Sequence, residues 1–120
     1  MRFVRGRWAY RTTSDAETVS RGTVDAVLVR DELFLEYVTD GGRGSFQGSS
    51  IANGRTFEGR WRERDTGRSG TGVLTELGPF PEGEHFFLGG FTGQAPDGSW
   101  LEGVWLLDVE HHKPDAKAVN

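Results

Sequence analysis

Period-two alternation of apolar and polar residues recurs in short stretches along the chain, and clusters of Gly, Asp, Asn and Pro separate nearly all of them. Alternation with that period marks strands with one buried face, and links this short make sequential strands antiparallel neighbours. The pattern predicts about eight strands, at residues 3–12, 21–30, 32–39, 45–52, 55–64, 71–77, 84–92 and 99–109. Asn53 followed by Gly54 is the favoured core of a two-residue type I′ hairpin, and the stretches at 40–44, 65–67 and 96–98 add glycines tolerant of positive φ. Residues 78–83, GPFPEG, carry two prolines and read as a longer loop. Ser14 and Glu17 have the spacing of a capping box, which predicts one helical turn between the first two strands, placed as a lid over one end.

Short strands joined by tight turns make a meander that closes on itself, because closure removes the unpaired edges an open sheet exposes. The expected fold is all-β: a single closed antiparallel up-and-down β-barrel of about eight strands over residues 1–110, with residues 111–120 as a flexible C-terminal tail. The charges supply a test of closure. Arg5, Arg7 and Arg11 share one face of the first strand, and Glu102, Asp108 and Glu110 share one face of the last, so antiparallel pairing of the two sets bases beside acids.

At 120 residues the chain has the size of one domain with one core. Fourteen basic residues against eighteen acidic ones give a net charge of −4, which argues against a nucleic-acid polymer or an anionic membrane as partner. Without cysteine there is no disulfide framework, thiolate metal site or thiol nucleophile. No apolar run reaches the length of a signal peptide or membrane span, so the expected location is the cytoplasm. His85, His111 and His112 do not have convergent metal-ligand spacing, and GRSGTG at 67–72 lacks the lysine of a phosphate loop. No metal, cofactor or catalytic residue is expected on these grounds. A homo-oligomer is compatible with the pattern.

One phrase recurs three times: VRGRW at 4–8, FEGRW at 57–61 and LEGVW at 101–105, using three of the four tryptophans. In each copy Gly and Trp lie two positions apart and share a face of the strand. A glycine opens space on a pleated surface, and an indole lies across it where a strand bends around a small barrel. Gly6 and Trp8 in the first strand, echoed by Gly59 with Trp61 and Gly103 with Trp105, resemble the calycin group of ligand-binding barrels: lipocalins, fatty-acid-binding proteins and avidins. In size and strand style the chain is also similar to bacterial cyclic-nucleotide-sensing β-barrel domains. It departs from lipocalins in having no cysteines, and the biotin-contacting set of avidins does not map onto it.

The resemblance implies a ligand in the barrel interior. Trp8, Tyr10, Trp61 and Trp105 are the expected aromatic lining. Glu63, Asp25 and Thr23 fall on the proposed inner faces, where a solid core would leave them unsatisfied, and this favours a cavity. Arg60 and Arg62, with Arg43, Arg55 and Arg68 in neighbouring turns, make a basic end suited to phosphate. The expected function is sequestration or sensing of a small aromatic or anionic, nucleotide-like ligand by Trp8, Tyr10, Trp61, Trp105, Arg60 and Arg62. Two other classes stay open. One is an isomerase- or cyclase-type enzyme using Asp25 with Glu63, or His85 with Glu102 and Asp108; the other is an interaction module presenting Trp100 and Leu106.

Overall fold

The computed structural model describes residues 2–12, 15–39, 42–51, 54–77 and 84–112. Eight strands follow in chain order: β1 (Arg2–Thr12), β2 (Asp15–Val29), β3 (Glu32–Thr39), β4 (Gly42–Ile51), β5 (Thr56–Glu63), β6 (Ser69–Leu77), β7 (Glu84–Gln94) and β8 (Trp100–His112). Each is antiparallel to its predecessor, and β8 pairs back to β1 to close the barrel. The expected fold class is therefore the observed one. Arg7 stands opposite Asp108 across the closing seam, and its Nη2 lies 2.6 Å from Asp108 Oδ2. At this exposure such a pair contributes only tenths of a kcal/mol, up to about 1, but it favours the observed register.

Several strands extend further into the connections than the sequence pattern predicts, β3 matches it, and β5 is one residue shorter at each end. Residues 15–20 carry no helical turn: β2 begins at Asp15, which pairs with Thr12 across an irregularity in the β1–β2 ladder. A four-residue capping match fixes several dihedrals for a single hydrogen bond, whereas the ladder gives the same residues partners directly. β4 likewise starts at Gly42, because Gly42, Arg43 and Gly44 continue the pairing to β3 through Thr39, Val38 and Tyr37. β8 runs to His112, three residues past the expected end of the last strand. Asn53, the proline loop at 78–83 and the tail from 113 lie outside the described residues.

Three expected turn glycines have the required backbone, with φ of 71° at Gly54, 70° at Gly67 and 87° at Gly98. Arg30 in the β2–β3 turn also takes a positive φ, of 56°, at a position where composition gives no glycine to announce it.

Alternation places the core. In β3, Leu33, Leu35, Tyr37 and Thr39 are buried while the residues between them are exposed. β2 sends Val24 and Ala26 inward and exposes Thr23 and Asp25, which corrects the inner-face assignment made from the sequence. The opposite phase would trade two apolar side chains in the core for a carboxylate, at a large desolvation cost.

The repeated motif resolves into two separate uses of glycine. At Gly59 and Gly103 the backbone of the next strand comes so close that an added methyl would collide with the carbonyl oxygen of Gln47 or Arg11. The indoles cover glycines of other strands instead: Trp105 lies over Gly72, and Trp61 over Gly93. Gly59→Ala is accordingly expected to destabilise the barrel by about 1–3 kcal/mol in urea denaturation. Gly90→Ala, where the nearest atom to an added methyl is Gly103 O at 3.5 Å, is expected to be close to neutral.

Candidate functional site

The interior changes character from one end to the other. Toward the β4–β5 turn it is filled by Leu33, Leu74, Phe57 and Phe87, with the last two rings 6.2 Å apart. Trp105 is at the centre, 5.2 Å from Trp8, 5.4 Å from Phe46 and 5.1 Å from Phe91 by ring centroids. Toward the β3–β4 and β5–β6 turns the lining becomes polar, with Tyr10, Tyr37, Thr39, Glu63 and Arg68.

The three repeated indoles are not equivalent. Trp105 Nε1 donates to Val73 O at 2.7 Å, beside the gap where β6 and β7 lack pairing between Gly72↔Phe91 and Thr75↔Leu88. Trp61 Nε1 is shared between Thr71 O at 3.1 Å and Thr92 O at 3.0 Å. Trp8 stacks on Tyr37 at 4.7 Å with an interplanar angle of 16°, and its buried Nε1 has no hydrogen-bond partner among the described residues. A buried donor without an acceptor is costly, so the Trp8 indole marks a place where an acceptor belongs.

Glu63 is a charged residue only 5% exposed. Its Oε1 accepts from Arg68 Nε at 2.7 Å and from Thr66 Oγ1 at 2.9 Å, and Arg68 Nη2 approaches it to 2.5 Å. Arg68 Nη2 also donates to Tyr10 OH at 3.4 Å, so the guanidinium spans from the β5–β6 turn to β1 across the polar end. The turn that delivers it is local chemistry. Gly67 N donates to Glu63 O at 3.0 Å, Glu63 N to Arg68 O at 2.8 Å, and the positive φ of Gly67 reverses the chain.

Burial opposes the charge of Arg68, but the Glu63 carboxylate and the hydrogen bond to Tyr10 outweigh it and hold the guanidinium above its ordinary range. Burial, and then the neighbouring Glu63 charge, push the Tyr37 phenol well above the ordinary value of 10.0. The native state thus keeps Tyr37 protonated where the unfolded chain releases the proton. The stabilisation is complete below about pH 10 and is lost as pH rises beyond it. In an alkaline titration, phenolate absorbance from Tyr37 is expected to develop only with unfolding; a native-state transition of Tyr37 near pH 10 would contradict this environment.

Trp8, Tyr10, Trp61 and Trp105, the four aromatic residues expected to line the site, converge with Tyr37, Glu63, Arg68 and Phe91. The free space among them is about 10 Å³, room for about one water molecule, so no ligand-sized chamber stands open. Arg60 and Arg62 are elsewhere: they alternate with Trp61 and are exposed on the outer wall. The cation that reaches the interior is Arg68, which the sequence places in a turn. Tyr37 is the residue that sequence reasoning missed, although the strict alternation of β3 puts it in phase with Leu33 and Leu35.

The carboxylate pair considered for an enzyme does not assemble, since Glu63 is inside and Asp25 outside. Glu102 is exposed and Asp108 pairs with Arg7. Among the described residues no group of three His, Asp or Glu side chains is placed to hold a metal, and no helix is long and apolar enough to cross a membrane. Trp100 is 61% exposed on β8, outward of Trp105.

Fold and site together define a closed eight-stranded antiparallel barrel with an aromatic interior and one polar end, an architecture compatible with a calycin-like barrel. No protein-family model, curated protein or solved structure matches the chain.

Proposed function

We propose that the protein is a calycin-like, cytoplasmic small-molecule-binding barrel that sequesters or senses its ligand at the polar end of the interior. The observation that carries this reading is the Arg68 bridge to Glu63 and Tyr10, drawn over an aromatic cluster in which the Trp8 N–H has no acceptor among the described residues. Arg68 belongs to a turn whose other residues are largely exposed, so its side chain can swing outward and vacate its own volume beside the rings. The ligand that fits has one aromatic ring to lie among Trp8, Trp61 and Trp105, and an acceptor group, such as a carbonyl or acid, to meet Trp8 Nε1, Tyr10 and Arg68. Opening breaks the ion pair, so binding is weaker than the contacts alone imply by the cost of that step.

The test is a thermal-shift and Trp-fluorescence screen of single-ring aromatic acids, nucleobases and nucleotides. A ligand at 100 times its Kd stabilises the fold by about 2.7 kcal/mol, a shift of several degrees for a domain of this size. The reading predicts a hit that is lost or strongly weakened in Trp8→Phe, which keeps a ring and removes the N–H. Silence across the library, or hits indifferent to that substitution, would overturn it.

One observation favours a second reading, as an interaction module. Trp100, Val104 and Leu106 alternate outward along β8, and Leu88 stands opposite Leu106 on β7, all exposed. Light scattering that reveals an oligomer, abolished by Trp100→Ser, would support it.

A further inference from the structure

The outer wall of β3–β6 carries a second constellation. Arg60 and Arg62 project outward from β5, two residues and therefore about 7 Å apart. Arg7 and Arg43 each face an acid, Asp108 and Asp65, whereas Arg60 and Arg62 have no hydrogen bond or ion pair among the described residues. Their neighbours across both ladders are neutral hydrogen-bonding residues: Ser45 and Ser69 flank Arg62, and Gln47 and Thr71 flank Arg60. One strand further, Phe34 stands opposite Gln47 and Glu36 opposite Ser45. These residues line one open cleft of about 750 Å³.

We infer that this cleft binds a nucleoside monophosphate, with its phosphate on Arg60 and Arg62 and its base against Phe34. Guanidinium forks match phosphate oxygens, and the Ser69 and Thr71 hydroxyls add donors beside them. Phe34 is two strand spacings from Arg60, about 10 Å, a separation that a ribose bridges, with Gln47 between them to meet it. An exposed phenyl ring offers the base a stacking surface. Glu36 repels phosphate and accepts from an exocyclic amino group, which orients the ligand and favours adenine over uracil. The net charge of −4 weighs against a polymer in the same groove. This site is independent of the interior one: it lies on the other face of the wall.

The experiment is a backbone-amide NMR titration of the whole chain, at low salt, with AMP, UMP, adenosine, inorganic phosphate and a single-stranded oligonucleotide. The inference predicts that AMP shifts residues of β4–β6, binds more tightly than UMP, adenosine or phosphate, and weakens as salt rises. It predicts about a tenfold loss of AMP affinity in the Arg60→Ala/Arg62→Ala double variant, whose exposed positions leave the fold intact, and no loss in Trp8→Phe. AMP binding unchanged in the double variant, UMP equal to AMP, no binding of AMP at millimolar concentration, or an oligonucleotide preferred to AMP per phosphate would overturn it. Loss of interior binding in Trp8→Phe with AMP binding retained separates this site from the interior reading.

Discussion

Trp105→Ala is expected to destabilise the barrel by about 3–5 kcal/mol, the range for truncating a buried large aromatic residue. Trp105 is 3% exposed and packs against Trp8, Phe46 and Phe91, so its removal leaves three rings with an unfilled side. It also removes the donor to Val73 O at the point where β6 and β7 are not paired, stranding a carbonyl. Urea denaturation reads the loss as a fall in midpoint with little change in slope. Trp100→Ala is the control: the same residue type, outward on the same strand and 61% exposed, is expected to cost under about 0.5 kcal/mol. Equal effects at the two positions would contradict the assignment of faces on β8.

Arg68→Ala is expected to cost more than Glu63→Gln. The pair is asymmetric, with Arg68 22% exposed at the side chain and Glu63 only 4%. Without Arg68 a carboxylate is left inside the barrel with the Thr66 and Tyr37 hydroxyls as its remaining donors, and breaking such a pair costs about 2–4 kcal/mol, somewhat below the fully buried range because the site lies at the barrel end. Without the Glu63 charge, Arg68 turns outward into water, and the expected cost is about 1 kcal/mol. Urea unfolding of both variants at neutral pH checks the order. A larger cost for Glu63→Gln would mean that Arg68 is held by its surroundings and is not free to leave.

The barrel is legible in the sequence because its cause is local. Alternation fixes which residues face inward, and Gly54, Gly67 and Gly98 fix where the chain reverses. Closure is legible too, since Arg7 and Asp108 sit on strands that meet only if the sheet closes. Where the reading fails, the deciding interaction is long-range. Whether Asp15 starts a helical turn or pairs with Thr12 depends on how far β1 extends, which no local window contains. The phase of β2 depends on Val24 and Ala26 finding room in a core built by the other strands. At the site, the aromatic set Trp8, Tyr10, Trp61 and Trp105 was readable from face alternation, and the outward phase of Arg60 and Arg62 follows from the same alternation once Trp61 is inside. The role of Arg68 was not readable, because a turn residue reveals its reach only when the turn is built.

The most direct test of the account is the indole N–H region of the NMR spectrum, where four tryptophans give four signals. Trp61 and Trp105, bonded to backbone carbonyls, are expected to exchange slowly with solvent, and Trp100 quickly. On adding a single-ring ligand from the screen, the account predicts that the Trp8 signal moves toward a hydrogen-bonded position while Trp100 stays fixed. A single-ring ligand that stabilises the fold and leaves the Trp8 signal unchanged would contradict the interior site.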